Sequence, residues 1–156
     1  VSIGKGFPGG QYPASKILTT AKMDNLNQFG ALVTNGQEEL ASLTYLITIA
    51  FAEGNSDYTR EIGSYYENRV REIAKNYSKV IDRVEGQAHL TTIYFHAAEK
   101  AIEFCKKLTD RGIDISAHTY KAKCPPSALT KIPLISSEKM VNFLANSMDD
   151  VLKGMA

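Results

Sequence analysis

Apolar residues recur three and four apart from Leu26 onward. Leu26, Phe29, Val33, Leu40, Leu43, Ile47 and Ala50 fall on one helical face, and Gly36 holds a position in the same phase. An α-helix gathers such positions into one stripe, so the spacing predicts a single helix from about Thr20 to Glu53. Gly54-Asn55-Ser56-Asp57 then stops the chain and offers Ser56 or Asp57 as the next N-cap. A second stripe of Ile62, Tyr66, Val70, Ile73, Tyr77, Val80 and Val84 predicts a helix that ends or bends at Gly86. A third of Leu90, Tyr94, Ala97, Ala101, Phe104 (or Cys105) and Leu108 runs to Arg111-Gly112, where glycine suits a left-handed C-terminal position. The last helix is capped by Ser136 or Ser137 and carries Met140, Leu144, Met148, Val151 and Met155.

The pattern fails in two places. Residues Val1 to Pro13 hold four glycines and two prolines, which predicts a flexible arm. From Ile113 to Ile135, Pro125, Pro126 and Pro133 break any stripe and predict a long crossing loop. Four stripes with short links between the first three predict an all-α fold: an antiparallel four-helix bundle over residues 14–156, preceded by the arm 1–13.

At 156 residues the chain is one domain's worth, with 44% apolar and 22% charged residues and a net charge of +1. That balance gives no global attraction to nucleic acid. The uncharged run between Glu39 and Glu53 is shorter than the roughly 20 residues a membrane-spanning helix needs. Cys105 and Cys124 flank the irregular segment and are candidates for a disulfide that ties the 112–135 loop to the third helix. Such a bridge, in a chain beginning at Val1, leads to an expectation of export, secreted or periplasmic, with the cytoplasm as the alternative.

Candidate chemistry is sparse. His89 and His96 are seven apart near Glu85, Glu99 and Glu103, but the Glu-x-x-His pair of bundle metal sites is missing, so no metal or cofactor is expected. Gly4-Lys5-Gly6 lacks the spacing of a phosphate loop, and no Gly-x-Ser-x-Gly is present. Asn76-Tyr77-Ser78 fits the glycosylation pattern by chance as readily as by purpose. Arg71, Lys75, Lys79 and Arg83 recur every four residues as a basic ridge, although Glu67, Glu72 and Asp82 stand at ion-pair spacing from it. Tyr58 and Tyr65 lie off the stripes, and tyrosine favours interfaces. These six residues form the expected contact surface of a non-enzymatic interaction module that binds a protein partner or itself. The alternatives are a carrier of an apolar ligand between the helices and, third, a metal-dependent enzyme.

Overall fold

A computed structural model describes residues 1–4, 6–7, 9, 15–25, 38–120 and 123–155. They divide into two units, Val1–Ser56 and Asp57–Ala156.

In the first unit β1 (Ser2–Ile3) pairs antiparallel with β2 (Lys16–Ile17), and the Val1 amine donates to the Leu18 carbonyl at 2.6 Å. A 3-10 turn covers Ala21–Met23, and α1 spans Glu39–Gly54. Of the single helix expected from Thr20 to Glu53, the structure shows a 3-10 turn at Ala21–Met23 and an α-helix from Glu39; its stretch 26–37 lies outside the described residues. Ala41 and Tyr45 are the buried side chains of α1, and the Tyr45 ring packs 4.9 Å from that of Phe7.

The second unit is a mixed α/β layer, which overturns the four-helix bundle. Its elements are α2 (Ser56–Asn76), β3 (Ile81–Gln87), β4 (Leu90–Phe95), α3 (Ala98–Thr109), β5 (Ala117–His118), β6 (Ser127–Lys131) and α4 (Glu138–Lys153). The four strands form an antiparallel sheet in the order β3-β4-β6-β5. The second expected helix stops at Asn76, and the third begins only at Ala98. Between them the chain makes a hairpin, because Leu90-Thr91-Thr92-Ile93-Tyr94-Phe95 is a β-branched and aromatic run that suits a pleated surface. Its burial alternates strictly: Thr91, Ile93 and Phe95 are buried, while Leu90, Thr92 and Tyr94 are not. The crossing loop expected over 112–135 likewise contains β5 and β6.

One face of the sheet packs on the helices. Ile62, Tyr66, Val70 and Ile73 of α2, Phe104 and Leu108 of α3, and Val141, Met148 and Leu152 of α4 share one core with Ile81, Ile93, Phe95 and Ala128 of the sheet. The Phe95 and Phe104 rings lie 5.3 Å apart, in the range of favourable tilted pairs. Three hydroxyls of this core partner one another: those of Thr91 and Thr130 meet at 2.6 Å, and Thr91 Oγ1 donates to the Tyr66 hydroxyl at 3.3 Å. Ser137 caps α4 by accepting from the Met140 N–H.

Candidate functional site

The other face of the sheet carries no helix of this unit, and its register sets a row of polar side chains across all four strands. Arg83 of β3 stands opposite Tyr94 of β4, Tyr94 opposite Ser127 of β6, and Ser127 opposite His118 of β5. Thr92 and Leu129 pair in the next row. With Cys124 and Pro125, just before β6, these residues enclose a groove of about 250 Å³ lined by Thr92, Tyr94, His118, Cys124, Pro125, Ser127 and Leu129. Hydroxyl, phenol and imidazole groups on the strands, with the Cys124 thiol on the segment before β6, make a wall that can orient a small polar molecule by hydrogen bonds.

Arg83 owes its place in this row to a register shift between Ile81 and Arg83. A bulge of this kind re-aims a side chain. The guanidinium lies 4.1 Å from the centre of the Tyr94 ring and pairs with Glu85 at 2.7 Å and with Asp82. The Arg83 hydrogen bond holds the Glu85 carboxyl below its usual range, whereas desolvation and then the Glu85 carboxylate push the Tyr94 phenol up.

Of the six residues expected as a contact surface, the structure brings Arg71, Lys75 and Arg83 to one groove. Tyr58 donates to the Ser136 carbonyl at 2.8 Å and Tyr65 to Asn142 Oδ1 at 2.6 Å, so both hydroxyls tie α2 to the α4 end of the unit. Arg71 is a clamp. Its Nε donates to Glu67 at 2.9 Å, and its other nitrogens donate to the Val84 and Gly86 carbonyls at 3.0 and 2.9 Å. Glu67 completes it by accepting the Ala88 N–H at 2.7 Å. Lys75 lines a second groove with Arg71, Ser78, Asp82 and Arg83, while Lys79 lies in the turn after α2. Four-residue spacing keeps to one side only while a helix lasts, and this helix ends before Lys79 and Arg83.

Cys105 and Cys124 are both free, the first buried in α3 and the second exposed at the groove. The expectation of export rested on their bridge and loses that support. Burial pushes the Cys105 thiol up to about 11. His96 Nε2 lies 2.9 Å from the Ser78 carbonyl, and the His89 ring packs on Gly63 with Nε2 buried and unpartnered among the described residues. Desolvation lowers the His89 pKa. Among the described residues no three His, Cys, Asp or Glu side chains gather as metal ligands. The groove itself escaped the sequence reading, whose one available signal was the alternation of Thr92 and Tyr94 with buried neighbours.

No protein-family model matches the chain, and no curated protein does. Solved structures place its fold among the aminotransferases. It superposes over 99% of its length on 40% of an ornithine aminotransferase from Plasmodium yoelii, with a TM-score of 0.81 at 18% identity. An aminotransferase from Bacillus anthracis matches 98% of the chain with 38% of its own, TM-score 0.81 at 13% identity. An acetylornithine aminotransferase from Elizabethkingia anophelis gives 98%, 38%, 0.75 and 18% for the same measures. At this identity the likeness shows the fold, and the chain spans about two fifths of the length of these proteins. It overturns the expectation of a non-enzymatic four-helix interaction module, and the apolar-ligand carrier loses the helical bundle that it required.

Proposed function

We propose that this chain is part of an aminotransferase-type enzyme. The observation that carries this reading is the superposition of nearly its entire length on aminotransferase structures. Moving an amino group between carbon skeletons calls for an electron sink, which pyridoxal phosphate supplies when anchored on a lysine amine.

Residues of the first unit suit such a group. Lys5 is the one lysine in the sequence with glycine on both sides, Gly4 and Gly6. Among the described residues, chain neighbours apart, no heavy atom lies within 4 Å of where a side chain would begin at Gly6, which suits the approach of a flat ring. Tyr45, only 5% exposed, has a hydroxyl with no partner among the described residues. An unpaired buried hydroxyl costs about 1–3 kcal/mol, which a bound polar group would restore. Lys16 Nζ lies 5.9 Å from the same ring and adds a cation suited to a phosphate. In this reading Lys5, which lies outside the described residues, holds the cofactor, Gly6 keeps its approach open, and Tyr45 donates a hydrogen bond.

The test is to incubate the protein with pyridoxal phosphate, reduce with borohydride and map the modified peptide. The expected result is a pyridoxyl mass on the peptide bearing Lys5, absent in Lys5→Ala. Label scattered over exposed lysines such as Lys16 and Lys123, with none at Lys5, would overturn the reading.

A further inference from the structure

Cys124 has no thiol within the chain to pair with. The sequence holds two cysteines, both are free, and Cys105 is buried in α3 while Cys124 is exposed. The segment that carries Cys124 is nonetheless fixed. Pro125 and Pro126 lock two successive φ angles, and the Pro126 carbonyl accepts the Phe95 N–H of β4 at 2.9 Å. The thiol is thereby held on the wall of the groove that Thr92, His118, Ser127 and Leu129 also line.

A second observation points to an occupant of this groove. Ser127 is only 9% exposed and lines it, and its hydroxyl forms no hydrogen bond among the described residues. Buried hydroxyls are ordinarily paired, and a molecule in the groove is within reach of this one. The lining narrows the chemistry of that molecule. Thr92 and Ser127 offer hydroxyls, His118 an imidazole, and no Asp, Glu, Lys or Arg lines the groove. Neutral donors and acceptors of this kind suit peptide amides. Lys123, exposed and next to the thiol in sequence, supplies a cation for a carboxylate. The volume of about 250 Å³ lies near the small end of small-molecule clefts and is too little for a protein surface.

We propose that the groove seats a small peptide disulfide of the glutathione type and that Cys124 exchanges with it. The Cys124 thiolate attacks one sulfur of the seated disulfide. A new S–S bond joins Cys124 to that half and the old S–S bond breaks. The other half leaves as a thiol, carrying the proton that Cys124 gave up. The Cys124 sulfur is oxidised and the departing sulfur reduced, so the small disulfide is the only oxidant required. The adduct occupies the groove until a reducing thiol removes it. The exchange needs none of the residues assigned above to the cofactor.

The test mixes the reduced protein with glutathione disulfide, follows the adduct by intact mass and maps its peptide without reduction. The expected result is a single glutathione on Cys124, formed at a rate that levels off as the disulfide is raised, because seating precedes exchange. Ser127→Ala and, separately, Thr92→Val should each slow exchange at low disulfide about fivefold, the effect of one neutral hydrogen bond. Iodoacetamide, too small to need the groove, should alkylate Cys124 equally fast in all three proteins. A wild-type rate that stays proportional to disulfide throughout, glutathione on Cys105 alone, no adduct, or both variants exchanging as fast as the wild type would each overturn the proposal. Alkylation of Cys105 marks a variant that has unfolded, and the levelling-off in the wild type then decides by itself.

Discussion

Exchanging Glu67 for glutamine keeps the shape of the side chain and removes its charge, which isolates what the carboxylate does for the β3–β4 hairpin. In the wild type Glu67 Oε2 accepts from the Ala88 N–H at 2.7 Å and Oε1 from Arg71 Nε at 2.9 Å, while Arg71 reaches on to the Val84 and Gly86 carbonyls. The carboxylate is 21% exposed and the guanidinium 38%. Hydrogen bonds to a charged group contribute roughly 1.5–3 kcal/mol, and glutamine retains the shape for one of the two at neutral strength. Allowing for the solvent that still reaches Arg71, Glu67→Gln should lose about 2 kcal/mol at neutral pH. With a urea slope of about 2 kcal/mol/M, the midpoint falls by about 1 M. The pH dependence gives a second handle. The Ala88 N–H first, and Arg71 second, hold the Glu67 pKa below its usual 4.5. The stabilisation is therefore complete above 4.5 and is lost as pH falls through the lowered folded value. Urea titrations of both proteins at pH 7 and in acid should show a gap that closes in acid. Equal midpoints at pH 7, or a gap that persists unchanged in acid, would refute the clamp.

Three further outcomes follow from the same geometry. Ala88 adopts a positive φ of 50°, where a Cβ costs roughly 1–2 kcal/mol. Part of that relief returns as unfolded-chain entropy, so Ala88→Gly should raise stability by about 0.5 kcal/mol in a urea titration, and a loss would contradict the turn geometry. An Ellman titration should find one fast thiol, Cys124, and a second, Cys105, only after unfolding; two fast thiols or none would contradict their placement. Desolvation lowers the His89 pKa from 6.5, so stability should begin to fall as pH drops below about 6.5 and His89→Gln should flatten that arm. An identical pH profile in the variant would exclude the burial of this ring.

Much of the helical part was legible in the sequence. The stripes through Ile62 to Ile73, Ala101 to Leu108 and Leu144 to Val151 became α2, α3 and α4, because each faces one core. The sheet was hidden by coincidence of period. Tyr77, Val80 and Val84 continue the three-and-four spacing of α2 across its end, and Leu90, Tyr94 and Ala97 imitate a helix start. The true signal was period two, carried partly by Thr91, which is buried yet scores as polar. The hairpin also lacks an Asn-Gly turn; Ala88 takes the positive φ, and at Gly86, where φ is 101°, an added Cβ would run into the Leu90 carbonyl oxygen. Once the hairpin is missed the groove is lost as well. Its lining is assembled by strand register from β4, β5, β6 and the Cys124-Pro125 segment, residues spread from position 92 to position 129. In α1 the stripe through Leu40, Leu43 and Ile47 is the exposed side, since Tyr45 is buried and half-buried Thr44 and Thr48 flank it on the inner side.

Everything said of the site depends on residues 81–131 forming the β3-β4-β6-β5 sheet. Nuclear Overhauser contacts between backbone protons report this directly. The fold requires cross-strand contacts pairing Thr92 with Leu129 and Tyr94 with Ser127, along with Glu85 and Thr92. Contacts three residues apart along Leu90–Phe95, with the cross-strand set missing, would mean a helix there and would contradict the account.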